Sequence, residues 1–288
     1  MPKYTSFKYS EAKNSKGNSV YFSTKSAIVM GILNITEDSF FDGGKYINDE
    51  QIILRCKTML DEGATIIDIG AQSSRPGATQ ISSEDELIKL LPIIKLLKNR
   101  FENITISIDT FWSNTAKQSV LAGADIINDI SAGEMDGNMF DTIATLQVPY
   151  IIMHMQGTPL TMQKNPVYEN VTQEVITYFE EKIKLLKTKG VSQIIIDPGF
   201  GFGKTLEHNY QLLNNLEKLK KLNCPILVGL SRKSMIHKLL DTTPQNALNG
   251  TTITNTIALQ NGANILRVHD VNKAIECIKI TTFAKNNY

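Results

Sequence analysis

The chain has 288 residues, 42% of them hydrophobic, which suits one large domain with a sizeable core and argues against intrinsic disorder. Lys plus Arg number 30 and Asp plus Glu 29, a net charge of +1, so no basic excess exists to hold a nucleic acid by charge alone. Three cysteines, Cys56, Cys224 and Cys277, show no CxxC spacing and indicate neither a disulfide framework nor a thiolate metal site.

Residues 1–27 are polar and rich in Lys and Ser, with no apolar stretch of the signal-peptide kind. They are read as an N-terminal extension in which Val20, Tyr21 and Phe22 form half of a hairpin. No run of 18 apolar residues occurs, so no membrane span is expected and a cytoplasmic protein is. From residue 28 to 288 one theme repeats: a short β-branched run, a polar or glycine-rich cluster, then a helical pattern. The strand runs are 27–33, 65–69, 104–108, 125–127, 150–153, 193–196, 226–230 and 264–268. Helical patterns lie near 48–61, 84–98, 113–122, 138–146, 168–188, 207–221, 233–240, 247–260 and 272–284. Eight consecutive βα units predict a closed TIM (β/α)8 barrel, with an open doubly wound sheet as the competing fold. The string Asp197-Pro198-Gly199-Phe200-Gly201-Phe202-Gly203-Lys204 imitates a phosphate loop. However, Pro198 stands where that pattern needs its first glycine, and Leu206 where the dinucleotide pattern needs its third.

Barrel enzymes build their sites at the C-terminal ends of several strands, and here those ends are unusually polar. Asp109, Asn128 and Asp197 each end or follow a β-run, so they converge over the barrel mouth. Two carboxylates and an amide suit a flat heterocycle carrying several N–H donors, with Lys233 donating to a ring carbonyl or nitrogen. Asp68 and Asp129 are placed at the same end, either as ligands or as loop caps. Arg267 and His269 share one strand face and, with Arg75 from the loop after the second strand, suit a phosphate-bearing ligand; the competing reading is a strand-end ion pair with Asp270. Asn34 offers a neutral oxygen suited to Mg²⁺. Loops 36–44 and 70–78 carry the glycines expected of lids. His154, His208 and His237 are read as core or surface histidines without a site role.

Taken together, the strings resemble the dihydropteroate synthase family, the folate-pathway enzymes that sulfonamides inhibit. They are Met30-Gly31-Ile32-Leu33-Asn34, Asp68-Ile69-Gly70 with Ser73-Ser74-Arg75-Pro76-Gly77, Ser107-Ile108-Asp109-Thr110, Ile127-Asn128-Asp129, Met153-His154-Met155-Gln156-Gly157, Asp197 to Lys204, Gly229-Leu230-Ser231-Arg232-Lys233 and Arg267-Val268-His269-Asp270. The resemblance runs in order from about residue 28 to 280. It implies a homodimeric, Mg²⁺-assisted transferase with small-molecule substrates. Such an enzyme joins 6-hydroxymethyl-7,8-dihydropterin diphosphate to 4-aminobenzoate, releasing diphosphate and 7,8-dihydropteroate by a dissociative route. It further implies pterin binding by Asp68, Asp109, Asn128, Asp197 and Lys233. Diphosphate falls to Asn34, Arg75, Arg267 and His269, with Asn34 the metal ligand. Aminobenzoate is lined by Ser74, Pro76, Phe202, Lys233 and Ser234, and Asp38 stands near the developing cation. Asp38, Asp109, Asp197, Lys233, Arg267 and His269 form the implied catalytic set. The chain departs from the family at Glu37, usually proline, and at Gln72 and Ser74, usually Glu and Thr. A barrel that passes a methyl group from a pterin to a corrinoid protein would share the carboxylates but has no use for a diphosphate clamp. A third reading, a non-catalytic pterin-binding barrel, predicts binding without turnover.

Overall fold

A computed structural model describes residues 27–35, 41–42, 46–47, 49–72, 80–162 and 165–287. Eight parallel strands make the barrel: β1 (Ile28–Asn34), β4 (Ile66–Gly70), β5 (Ile106–Asp109), β6 (Ile126–Asp129), β7 (Tyr150–Met153), β8 (Ile194–Asp197), β9 (Leu227–Val228) and β10 (Ile265–Val268). Their order is β8-β7-β6-β5-β4-β1-β10-β9, and a parallel bridge between Ile196 and Ile226 closes the ring. The closed barrel therefore holds and the open sheet does not. A separate antiparallel ladder, β2 (Phe41–Asp42) with β3 (Tyr46–Ile47), lies within the first long loop, where no strand was expected. Residues 1–26, which carry the expected hairpin at Val20 to Phe22, lie outside the described residues.

Side chains alternate across a strand, and this period of two sorts the apolar residues into two cores. Outward residues such as Ile67, Ile69, Ile127, Ile194, Ile196 and Leu266 join a large cluster with the helices. Inward residues Met30, Ile66, Ile126, Ile151, Ile195, Leu227 and Ile265 form a small separate cluster that plugs the barrel. The plug matters for the site, because the next inward position on each strand lies two residues further toward the mouth.

Helix boundaries follow local chemistry. Ser82 caps the helix Ser83–Arg100 by accepting from Asp85 N at 3.1 Å, with acids in the first turn and Lys98 and Arg100 in the last. The pattern expected over 207–221 divides into Leu206–Asn214 and a 3₁₀ turn, Leu216–Leu222. The helix expected over 233–240 is reduced to Ser234–His237. The third and fourth strands begin later than expected, at Ile106 and Ile126. Asp125 precedes the latter and accepts from Ile106 N (2.8 Å) and Lys98 Nζ (2.6 Å), a fastening at the floor end.

Candidate active site

Register places the polar residues. β4 carries Ile66 in the plug and Asp68 two residues on; β6 carries Ile126 and then Asn128; β8 carries Ile195 and then Asp197; β10 carries Ile265 and then Arg267. Cα pairing sets Asp109 beside Asn128 and Met153 beside Asp197. One inner ring of the mouth thus holds three carboxylates, an amide and a guanidinium.

Arg267 ties one half of this ring together. Its Nε donates to Asp68 Oδ2 at 2.6 Å and its Nη2 to Asp109 Oδ2 at 2.6 Å. Asn128 Nδ2 also donates to Asp68 Oδ2, at 3.2 Å. Burial works against the guanidinium's charge, but Asp68 and Asp109 outweigh it and hold its pKa above the ordinary value. Burial pushes the Asp109 carboxyl up to about 7, with Arg267 opposing and Asp68, Glu86 and Asp129 adding to the rise. Asp68 Oδ1 is buried with no hydrogen-bond partner among the described residues. The alternative pairing of Arg267 with Asp270 is not formed: Asp270 is gripped by Arg232 through Nε (2.9 Å) and Nη2 (3.0 Å).

His269 lies one alternation beyond Arg267. Its Nδ1 is 3.0 Å from Ser231 Oγ, its own N–H donates to the same oxygen, and its carbonyl accepts from Arg55 Nη2 at 2.6 Å. Burial, and then the Arg267 charge, push its pKa down to about 4, so the ring is neutral at pH 7. A neutral imidazole retains one N–H to offer an anion.

The other half is built by a turn. Asp197 Oδ1 accepts from Gly199 N at 2.8 Å, and burial raises its pKa against the pull of Lys233. Lys233 Nζ donates to Phe200 O and stands 4.6 Å from the Phe202 ring centroid. Burial pushes Lys233 down to about 8, with Asp197 and Asp109 opposing. Gly199 has φ +71°, and a Cβ there would stand 1.9 Å from His154 O. Gly199 and Gly203 of the imitation phosphate loop therefore serve close packing against residues 154–156, and Gly201 packs against the Lys233 side chain. Lys204 is buried behind this turn. Ser234 begins the short helix after Lys233 and is half-buried.

Asp129 is removed from the set of ligand candidates. It is buried, accepts from Tyr150 OH (2.6 Å), Ser131 N and Oγ (2.7 Å each) and Gly133 N (2.8 Å), and so fastens the loop after β6. Asn34 is exposed at the open end of β1. Gln72 accepts from Ile81 N at 3.4 Å, so it bridges the two ends of the second loop. Asp38, Ser74, Arg75 and Pro76 lie outside the described residues. Sequence reasoning missed Ser231, Arg55 and Lys204. Ser231 and Lys204 sit inside the recognised strings, whereas Arg55 carries no sequence signal beyond its helix.

A closed βα barrel with an amide and carboxylates around its mouth defines a class of heterocycle-binding enzyme, and comparison with known proteins makes the class specific. The chain belongs to the family described as pterin binding enzyme, which matches residues 30–269. Within that family it is similar to dihydropteroate synthase of Escherichia coli strain K12, 43% identical over 264 residues, covering 90% of this chain and 93% of that one. Dihydropteroate synthase of Haemophilus influenzae is 42% identical over 254 residues, covering 88% and 92%. Among solved structures, Yersinia pestis dihydropteroate synthase in a sulfonamide drug complex superposes with a TM-score of 0.87 at 39% identity, covering 94% of this chain and 98% of that chain. Xanthomonas albilineans dihydropteroate synthase with 4-aminobenzoic acid gives 0.84 at 36% identity, covering 91% and 94%.

Proposed function

We propose that the protein condenses 6-hydroxymethyl-7,8-dihydropterin diphosphate with 4-aminobenzoate to give 7,8-dihydropteroate and diphosphate, the transferase step of folate synthesis. The observation that carries this is the inner ring Asp68, Asp109, Asn128, Asp197 and Arg267, assembled by register in a chain similar to dihydropteroate synthases over nine-tenths of its length.

In this reading Asp109, Asn128 and Asp197 accept from and donate to the pterin edge, Asp68 supports them, and Lys233 donates to the ring. Arg267 sits between the pterin carboxylates and the departing anion. Its charge is held by Asp68 and Asp109, so it remains cationic while the carbon–oxygen bond breaks and negative charge moves onto diphosphate. His269 contributes one neutral N–H donor, and Arg75 a second guanidinium. The cation left on the pterin methylene is delocalised into the ring, with Asp38 near it, and the aryl amine attacks that carbon. The alkylated nitrogen is acidic enough to lose its proton without a strong base. Phe202, Lys233 and Ser234, together with Ser74 and Pro76, would line the aminobenzoate half, where a sulfonamide would compete.

Asn34 suits Mg²⁺. A single exposed amide oxygen fits an ion that keeps its waters and takes phosphate oxygens, and no cluster of three His, Cys, Asp or Glu among the described residues offers a self-sufficient site. When bound, the ion would supply positive charge to the leaving diphosphate. The protein is further read as a cytoplasmic homodimer. Exposed Ile253, Ile280 and Phe283, on the two packed helices Leu248–Gln260 and Val271–Asn286, support an apolar mating face, and sedimentation equilibrium tests it. No described helix is long and apolar enough to cross a membrane.

The decisive assay is diphosphate release with both substrates and Mg²⁺. Release that depends on 4-aminobenzoate is expected; its absence, with pterin still bound, rejects the synthase in favour of a binding protein.

A further inference from the structure

The proposed reaction makes no use of Lys204, yet this residue is only 4% exposed and its Nζ is surrounded by acceptors. Nζ lies 2.9 Å from His154 Nδ1, 3.0 Å from Gly199 O, 3.0 Å from Phe202 O and 3.3 Å from His154 O. With Lys204 donating, His154 Nδ1 accepts and the imidazole proton is assigned to Nε2. Burial, then the Lys204 charge, lower the His154 pKa, in keeping with a neutral ring. The imidazole is itself packed edge-on to Tyr178, with centroids 4.9 Å apart. It is a fixed post on the end of β7, and Lys204 is moored to it.

What Lys204 holds is the turn of residues 199–202, closed by Phe202 N donating to Gly199 O at 3.1 Å. Lys204 takes the carbonyls at the two ends of that turn, and Lys233 takes the carbonyl of Phe200 between them. The same turn sets Phe202 against the Lys233 ammonium. Asn209 Oδ1 on Gly201 N (2.7 Å) and Tyr168 OH on Gly203 O (2.7 Å) bind the flanks. Lys204 is the donor at the centre of these fastenings; burial pushes its pKa down to about 7, with Asp197 opposing.

We propose that Lys204 is a positioning residue for the aminobenzoate half of the site: through the carbonyls of Gly199 and Phe202 it fixes the turn that seats Lys233 and the Phe202 ring. The inference rests on the synthase reading. It predicts an uneven effect on the two substrates: Asp109 and Asn128 are placed by their strands, Asp197 and Lys233 meet the turn and serve the pterin as well, and the Phe202 ring, set by the turn, serves aminobenzoate alone.

The test compares wild type, Lys204→Met and Lys204→Arg by steady-state kinetics, with dissociation of a pterin ligand measured separately by calorimetry. In Lys204→Met the KM for 4-aminobenzoate should rise about tenfold or more, since misplacement by an ångström can cost up to about a hundredfold. Pterin affinity, still supported by Asp109 and Asn128, should weaken by clearly less than the aminobenzoate KM rises, and Lys204→Arg, which keeps donors for the same carbonyls, should recover part of the KM. Equal losses for both ligands, or a wild-type KM in a folded Lys204→Met, overturn the proposal. Should Lys204→Met not fold, His154→Leu, which removes one mooring and leaves the lysine, decides instead. The same split at smaller size is expected, and an unchanged aminobenzoate KM overturns the idea. A wild type that turns over while these variants show no split refutes Lys204 alone; a wild type without turnover refutes the synthase reading.

Discussion

The two halves of the barrel mouth hold their charges by different means. On the side of β4, β5, β6 and β10, Asp68, Asp109, Asn128 and Arg267 all project from strands and satisfy one another directly. Toward β8 and β9, Asp197, Lys204 and Lys233 meet around a turn, and the two cations rest mainly on backbone carbonyls. The first half is rigid because the sheet is rigid. The second is as rigid as its glycines and moorings make it. Binding the pterin calls for a fixed plane, whereas seating a second substrate after diphosphate departs calls for a wall whose position can be tuned. Asp197 and Lys233 stand where the two jobs meet, since both also face the pterin.

The sharpest way to break the strand-borne half is Arg267→Ala. It leaves Asp68 and Asp109 buried without their cation, a kind of change that costs about 3–5 kcal/mol. It also removes a donor facing developing charge, worth about a hundredfold to a thousandfold in rate. Diphosphate release should fall about a thousandfold and the denaturant midpoint should drop. A stable variant with near-normal turnover would mean that the carboxylates do not need this partner. On the turn-borne half, Gly199→Ala forces a Cβ to within 1.9 Å of His154 O at φ +71°. The turn must shift, and kcat/KM should fall about a hundredfold, with unfolding in denaturant separating this from simple loss of fold. Lys233→Ala is milder and more informative. Because Lys233 faces both Asp197 and the Phe202 ring, pterin affinity and the aminobenzoate KM should each worsen by about tenfold, roughly the worth of one charged hydrogen bond. If only one worsens, the lysine does not serve both.

The difference between the halves also explains what the sequence discloses. Ile66 and Asp68, Ile126 and Asn128, Ile195 and Asp197, and Ile265 and Arg267 repeat one spacing, apolar plug then polar rim, and a period of two is visible without coordinates. The same logic sorts Asp129, one residue out of phase with Asn128, to the outer face, where Tyr150 and Ser131 hold it. The turn gives no such signal. Which carbonyl of residues 199–202 meets which lysine depends on the conformations of Gly199, Gly201 and Gly203, all at positive φ, and glycine restricts the backbone too little for a pattern to be read. Lys204 therefore reads as one more residue of a motif. Arg267 was legible as a cation at the mouth, but its grip on Asp68 and Asp109 reaches past β1 to β4 and β5, a consequence of barrel order that one-dimensional spacing does not reveal.

A stability measurement without loss of a site residue probes how closed the strand-borne half is. Glu86, 1% exposed on the helix Ser83–Arg100, accepts from Thr110 Oγ1 at 2.6 Å directly behind Asp109. Burial pushes its pKa from an ordinary 4.5 up to about 7, against the hydrogen bonds of Thr110 and Thr115. Between those values the folded protein keeps a proton that the unfolded chain has released. Stability therefore falls as pH rises from 4.5 to 7, and the full cost is present above that window. At about 1.4 kcal/mol per pKa unit, the cost above pH 7 is roughly 3 kcal/mol. Glu86→Gln retains an acceptor for Thr110 and carries no charge. It should match wild type at pH 5 and exceed it by about 2–3 kcal/mol at pH 8 in urea unfolding. Because the Glu86 charge also raises Asp109, the variant should release the Asp109 proton at lower pH, an effect that carboxyl titration by NMR would resolve. Equal stability gains at both pH values would show that the buried carboxyl is not the source, and that the acid side of the mouth is wetter than its packing suggests.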